Sequence, residues 1–359
     1  MGNDNNIFQN QNYMNQINKI LVIQTAFLGD IVLTMPLINN IKSLFPNKKL
    51  VVLTTPTGKE ILAGQINIDE IIVYDKNGKD KGFFKFLEFV NILKFLHFDL
   101  AIVPHRSIRS ALLTFIAKIP YRIGFRNSQG NIFFNFMINY KKNIPEIERN
   151  LYFLEKFINN FDIQKIDTKI TFPYHNELQK KNNDLLDIKN GNSQKIIGIH
   201  VGAKWNTKKW IPEKFIELIR QLDKKNCKIV VFGESREDYI VNNYLVMKND
   251  SRNILNLIGK TNLQDLIAIF RNLSLYVSND SGPMHIAAAI GVPVIAIFGP
   301  TVPSFGFAPY NKKSKVIEAK NVSCRPCGKH GNKFCPRLHF NCMNKIEVEH
   351  VFDAIKEIF

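Results

Sequence analysis

The sequence predicts an α/β protein made of two doubly wound domains, each built on a parallel sheet. Three observations predict it. Short β-branched apolar runs alternate with stretches of helical periodicity. The alternation breaks near the middle of the chain and then restarts. At 359 residues the chain is about twice the length typical of one compact domain.

Ile20 to Gln24 (ILVIQ) is an unbroken apolar run of the kind that fills a buried parallel strand. After the turn Thr25 to Asp30, apolar residues recur at helical spacing up to Phe45, where Pro46-Asn47 stops them. Leu50 to Thr54 predicts a second strand, then a short helix near Gly58–Ala63 and a third strand at Ile71 to Tyr74. Phe83 to His97 reads as a helix, Leu100 to Val103 as a strand, Ser107 to Ala117 as a helix and Tyr121 to Gly124 as a fifth strand. The pattern then fails. Asn127 to Asn143 is polar and aromatic without a period, and Glu146 to Phe161 is helical. Asp162 to Gln194 is rich in Lys and Asn and reads as irregular, with the linker at 176–194.

The second series has strands at Ile196–His200, Lys228–Phe232, Leu275–Ser278 and Val292–Phe298. Between them lie helices Pro212–Asp223, Arg236–Met247, Leu263–Arg271 and Gly282–Ile290. Two such series predict two Rossmann-like domains facing a cleft, at 19–175 and 195–310. Residues 1–18, rich in Asn and Gln, are expected to form a disordered extension. Residues 311–359 hold a cysteine loop and a final helix, Val348 to Phe359, expected to pack back across the domains.

Hydrophobic residues make up 45% and charged residues 22%, which excludes a mainly disordered chain. No apolar run approaches the ~18–20 residues of a membrane span. The N-terminus lacks the basic start and apolar run of a signal peptide, so a cytoplasmic protein is expected. The net charge of +17 is spread over both halves. It suits phosphorylated substrates, an anionic membrane surface or nucleic acid, and it equally suits a chain in which Lys is simply frequent.

Chemistry is expected at the carboxyl ends of the strands. The first strand-to-helix turn, QTAFLGD, has one glycine where a dinucleotide fingerprint needs three, which counts against bound NAD or FAD. It offers Asp30 at a helix start, either as a catalytic carboxylate or as a helix cap. In the second domain, Asn279 to His285 follows a strand and opens a helix. Gly282 leaves backbone N–H groups open, Pro283 suits the first turn, and the helix dipole favours an anion. This predicts a diphosphate cradle with Asp280, Ser281 and His285 at its edge. His200 to Ala203, including Gly202, leads to Lys208 and Lys209, which could neutralise a leaving phosphate or be ordinary surface lysines. At the end of the next strand, Glu234 or Glu237 could hold ribose hydroxyls.

These motifs together resemble glycosyltransferase family nine, the ADP-heptose:lipopolysaccharide heptosyltransferases, and most of all the heptosyltransferase II branch. The resemblance is carried by Gly29-Asp30, by AIVPHRSIRSAL with Tyr121 to Arg126, and by His200 to Ala203 with Lys208-Lys209-Trp210. Above all it is carried by NDSGPMHIAAAIGVPVIAIFGPT, Asn279 to Thr301. It implies a GT-B fold and an inverting, metal-independent transfer from ADP-heptose to the inner core of lipopolysaccharide or lipooligosaccharide. It implies Asp30 as general base, Lys208 as the phosphate-binding lysine, and Asp280, Ser281, Gly282 and His285 as the nucleotide-sugar cradle. Glu237 or Glu234 would match the ribose-binding glutamate. The acceptor, a lipid-linked Kdo/heptose core, would meet His105, Arg106, Arg109 and Arg126, with the protein peripheral on the inner face of the inner membrane. Within the same family another glycan or a protein is the alternative acceptor. Outside the enzyme class, the rival is a nucleotide- or RNA-binding protein, but no RNP-like or helix-turn-helix signature supports nucleic acid.

Cys227 reads as a buried apolar residue in a strand. Cys324, Cys327, Cys335 and Cys342 form a CxxC-x7-C-x6-C loop compact enough for one tetrahedral zinc or iron, with His330 and His339 as substitute ligands. Related protein-modifying heptosyltransferases resemble this in carrying a four-cysteine iron site. Reduced structural thiols or two disulfides are the other readings. The metal is expected to be structural, with no cofactor in catalysis.

Overall fold

The computed structural model describes residues 11–188, 194–225, 227–234, 238–248, 251 and 253–358, without the side chains of Gln11 and Asn12. The chain divides into two compact units, Met1–Ile170 and Thr171–Phe359.

The first unit holds strands β1 (Lys19–Gln24), β2 (Lys49–Thr54), β3 (Glu70–Val73), β4 (Leu100–Val103), β5 (Tyr121–Phe125) and β6 (Phe136–Ile138). Its helices are α1 (Gln11–Gln16), α2 (Leu28–Leu44), α3 (Pro56–Leu62), α4 (Phe83–Phe95), α5 (Ile108–Ile116) and α6 (Glu146–Leu151). The sheet order is β3-β2-β1-β4-β5-β6, with every pair parallel. β1 lies between β2 and β4, Ile20 pairing with Leu50 on one side and Leu100 on the other. Helices on both faces seal that strand, and Ile20 to Ile23 are fully buried.

Two expectations change here. The extension is ordered from Gln11: Ile17 is fully buried, and the Asp99 carboxylate accepts from the N–H groups of Asn18 (2.8 Å) and Lys19 (2.9 Å). Residues 1–10 lie outside the described residues. The stretch without a period contains β6, which adds to the sheet edge with Ile123 opposite Phe136. Three residues are too few to display an alternation, although Phe136 and Ile138 are buried and Met137 is not. Gly124 of β5 admits no side chain, since a Cβ there would lie 2.1 Å from the Phe134 ring.

The second unit holds α7 (Asn176–Leu185), β7 (Ile196–His200), α8 (Pro212–Asp223), β8 (Lys228–Phe232), α9 (Tyr239–Met247) and β9 (Ile254–Asn256). It continues through α10 (Leu263–Phe270), β10 (Leu275–Asn279), α11 (Gly282–Ile290), β11 (Val294–Phe298), β12 (Lys315–Glu318), α12 (Asn341–Asn344) and α13 (Val348–Ile358). Its sheet runs β12-β11-β10-β7-β8-β9, again all parallel. Read from the opposite edge, that is third, second, first, fourth, fifth, sixth, the same order as in the first unit. The edge strands β9 and β12 are short and mostly half-buried, so neither leaves the apolar run that marks a central strand.

The expected linker is largely structured. Residues 176–185 form α7, which docks on α10 through polar side chains: Gln179 Nε2 donates to Ala268 O at 3.0 Å, and Asn182 is 1% exposed. A helix that docks through amides reads as solvent-exposed chain. The final helix α13 packs on α8, β11 and β12 of its own unit. Among the described residues no helix is long and apolar enough to cross a membrane.

Candidate functional site

In the second unit the side chain of Asn279, fully buried at the end of β10, ties three segments together. Its Nδ2 donates to Val201 O (2.9 Å) and Gly202 O (3.1 Å), and its Oδ1 accepts from Trp210 N (2.9 Å). This holds the β7 end and the 205–210 turn against the start of α11. Asp280 is 6% exposed, and its Oδ2 takes both the Thr301 hydroxyl (2.6 Å) and Lys208 Nζ (2.6 Å). Ser281 occupies the position before α11 without capping it through its side chain, its Oγ 3.1 Å from Ser278 Oγ and 3.5 Å from His200 Nδ1. One turn in, His285 is 4% exposed with Nδ1 unpartnered. Burial pushes His285 down to about 4 against the pull of Asp280, and the Lys208 charge adds to the fall. A neutral imidazole, a lysine and open helix N–H groups thus share one strand end. Asp280, Ser281, Gly282, His285 and Lys208 all lie here.

A second lysine–aspartate pair lies alongside. Lys209 Nζ meets Asp238 Oδ1 at 2.9 Å, and Asp238 Oδ2 accepts from Glu234 N at 2.8 Å. Gly202 and Gly233 make room for that carboxylate: a Cβ on either would approach Asp238 Oδ2 to 2.7 or 2.6 Å. His200 is held down to about 4 by burial, with Asp238 opposing and Lys209 reinforcing. Glu234 is exposed, and Glu237 lies outside the described residues. Sequence reasoning missed Asp238. The signal for it was a pair of glycines ending adjacent strands, which leave space for one buried acid.

The cysteine loop reaches this region. Asn332 N donates to Thr207 Oγ1 at 2.7 Å, and the same hydroxyl donates to Asn332 O at 2.9 Å. The turn carrying Lys208 is therefore clasped by the loop. Arg325 anchors the loop by donating to Gly299 O, Thr301 O (2.9 Å) and Ala319 O (3.1 Å), and by pairing with Glu318 at 2.7 Å. Burial and the neighbouring thiols raise Cys327, and raise Cys342 to about 11, so both stay protonated at neutral pH. Cys324 Sγ is 3.8 Å from His339 Nε2. All five cysteines are free thiols. Among the described residues no group of three His, Cys, Asp or Glu side chains is placed to hold a metal ion, so the structure does not support the metal expected at Cys324, Cys327, Cys335 and Cys342. The thiols lie near one another, but spacing in sequence does not secure convergence of their lone pairs.

In the first unit Asp30 is the third residue of α2, half-buried, and its Oδ2 accepts from Phe27 N at 3.1 Å. It therefore does cap the helix. It also belongs to a cluster. Glu146 (8% exposed) pairs with Arg149 (1% exposed), and burial raises Glu146 to about 7, with Arg149 opposing and the Asp30 charge adding to the rise. The guanidiniums of Arg106 and Arg149 lie 4.6 and 4.5 Å from the centre of the Tyr140 ring. Glu146, Arg149 and Tyr140 were not singled out from sequence. The i,i+3 spacing of Glu146 and Arg149 was the available signal.

The expected acceptor residues separate. Arg106 joins the Asp30 cluster. His105 Nε2 is 2.8 Å from Ser110 Oγ, and burial, with Lys76 adding, pushes it down to about 3. Arg109 packs over Tyr74 (5.2 Å) and Phe86 (5.4 Å). Arg126 is exposed after β5, its Nε donating to Asn139 Oδ1 at 3.2 Å.

Two doubly wound units of this order, each with charged groups gathered at the carboxyl ends of its strands, define the GT-B fold. The chain belongs to glycosyltransferase family 9 (heptosyltransferase), whose model matches residues 87–337. It is 28% identical over 319 residues to lipooligosaccharide heptosyltransferase 2 of Haemophilus ducreyi, covering 83% of this chain and 88% of that one. The fold is similar to that of a family 9 glycosyltransferase from Veillonella parvula, with TM-score 0.79 and 22% identity, covering 95% and 97% of the two chains. It is also similar to that of the E. coli ADP-heptose lps heptosyltransferase II, with TM-score 0.72 and 22% identity, covering 95% and 98%.

Proposed function

We propose that this enzyme moves a heptose from ADP-heptose to the inner core of lipopolysaccharide or lipooligosaccharide, with inversion at the anomeric carbon and without a metal. The carrying observation is the Lys208–Asp280–Thr301 constellation at the N-terminus of α11, beside a histidine kept neutral by burial. A diphosphate set there would draw Lys208 from Asp280 and meet the open N–H groups at Gly282. As the sugar departs, negative charge grows on the diphosphate, and a lysine already in position stabilises that charge without reorganising. The neutral His285 can donate to a phosphate or sugar oxygen without adding a charge. Glu234 or Glu237 would hold the ribose, beside Gly202 at the end of β7.

The first unit would take the acceptor, a lipid-linked Kdo/heptose core at the inner face of the inner membrane. Asp30 would accept the proton of the attacking hydroxyl, a contribution of roughly 10²–10⁴ in rate. Arg106, with His105 after β4, Arg109 at the start of α5 and Arg126 after β5, would supply positive charge and donors for carboxylates or phosphates of the core. The deciding experiment incubates the protein with ADP-heptose and a core acceptor lacking the terminal heptose. A product heavier by one heptose, formed from ADP-heptose and from no other nucleotide sugar, is expected. Equal thermal stabilisation by unrelated nucleotide sugars, with no transfer, would overturn the reading.

A further inference from the structure

Large apolar side chains left in water are not scattered over the first unit. α4 buries Phe86, Phe89, Val90 and Leu93 inward, yet its outer face carries Phe83 (69% exposed), Phe84 (80%), Ile92 (50%) and Phe95 (80%). A helix that only covers a sheet has polar residues on that face. α5 packs beside α4 and adds Ile108, Phe115 and Ile116, and Ile132 (82% exposed) lies on the turn against α5. Large exposed apolar side chains gathered on adjacent elements mark an interaction surface.

The charges around it are mostly basic, with Asp80 between two of the lysines. Lys79, Lys81, Lys94 and Lys118 are exposed at its borders. The one acidic residue of α4, Glu88, is paired with Lys85 at 2.7 Å, and α5 has no acidic residue. Aromatic side chains ringed by lysines match the boundary between acyl chains and anionic headgroups. A second copy of the chain is a poor occupant, because a symmetric pairing would set these lysines against each other.

We propose that the α4–α5 face of the first unit docks on an anionic phospholipid bilayer, with Phe83, Phe84 and Phe95 entering the headgroup layer and the lysines meeting lipid phosphates. α5 continues from this face to Arg109, and His105 and Arg106 lie just before it, so docking sets the acceptor side of the unit at the membrane surface. Only that last consequence rests on the proposed transfer reaction. The docking itself does not.

The test uses the full chain in flotation with vesicles of phosphatidylethanolamine and phosphatidylglycerol, and separately with vesicles of phosphatidylcholine. Binding to the anionic vesicles that weakens with added salt is expected. The double variant Phe84→Ser/Phe95→Ser should bind on the order of tenfold or more weakly, since two buried aromatic side chains are lost. Lys79→Glu/Lys81→Glu should weaken binding to anionic vesicles too. Both variants should keep the wild-type melting temperature and the wild-type rate on a lipid-free acceptor. If the wild type floats with neither vesicle, if the Phe variant binds as well as wild type, or if that variant instead breaks a dimer, the proposal is wrong. Vesicle binding that depends on Phe84 and Phe95 in a protein that transfers no heptose would support docking and sink the proposed reaction.

Discussion

Changing Lys209 to Ala removes the partner of a carboxylate that the second unit has taken out of water. The Asp238 side chain is 3% exposed and that of Lys209 is 15%, with 2.9 Å between the charges. Removing one member of a fully buried pair costs about 3–5 kcal/mol, because the other is left charged and desolvated. Here Asp238 keeps the Glu234 N–H, and Lys209 is not wholly shielded, so the low end, about 3 kcal/mol, is expected. For a unit of this size each kcal/mol moves the melting temperature by about 2–4 °C, which gives a fall of about 6–12 °C. Lys208→Ala should also destabilise, since its pair with Asp280 is similarly buried, at 14% and 8%. On the proposed donor site it loses in addition a charged contact of about 1.5–3 kcal/mol, or about 10–150-fold in ADP affinity. Thermal unfolding and ADP titration on the two variants therefore separate the lysines: both melt early, and only Lys208→Ala loses the nucleotide. Adding Asp238→Asn to Lys209→Ala should recover much of the stability. A melting temperature for Lys209→Ala within about 2 °C of wild type, or equal losses of ADP affinity in both single variants, would refute the assignment.

Asp30→Asn should abolish transfer while ADP binding by calorimetry stays near wild type; retained turnover would leave Asp30 as a helix cap alone. His105, His200 and His285 sit at about 3, about 4 and about 4, below their ordinary 6.5, so the unfolded chain takes up protons that the folded one refuses. Their contribution is full above pH 6.5 and lost as pH falls toward 4 for His200 and His285 and toward 3 for His105, on the order of 3–5 kcal/mol for each. Urea midpoints measured downward from neutral pH should fall across that window, and a flat profile would contradict the burial argument. Thr207→Val strands the Asn332 N–H at a cost of about 1–3 kcal/mol and should free the cysteine loop. Faster labelling of its thiols by a disulfide reagent is expected, and unchanged labelling would mean that the clasp holds nothing in place.

How much the sequence reveals depends on whether a feature is local. Leu100–Val103, Ile196–His200 and Lys228–Phe232 were legible to the residue, because strands buried on both faces leave unbroken apolar runs between turn signals. β6, β9 and β12 lie in the outer part of their sheets, are three or four residues long, and leave no such run. The Asp280–His285 block was legible because strand end, cap and helix start are contiguous, and the family resemblance it carries agrees with the match over residues 87–337. Asp238, the Glu146–Arg149 pair beside Asp30, and the Thr207–Asn332 clasp were not. The clasp joins residues 125 apart, and no spacing rule spans that distance. Lys209 shows the same limit. Its sequence neighbours suggest a solvated lysine, and only the fold supplies its buried aspartate. The four cysteines show the limit from the other side, since their compact spacing suggested a metal site that the structure does not support.

Each six-stranded sheet is drawn from one unbroken stretch of chain, and the two share one strand order. Identical orders invite exchange, in which a strand of one sheet inserts in the corresponding place of the other. Synthesis runs at about 5–20 residues per second, so residue 170 leaves the ribosome about 10–40 s ahead of residue 359. In that interval all six strands of the first sheet are available and those of the second are not yet complete. Parallel sheets of this size fold slowly, on millisecond-to-second scales, but faster than this delay. The first sheet can therefore close before its twin offers a competing partner, and the order of translation keeps apart two sheets that their topology alone would not distinguish.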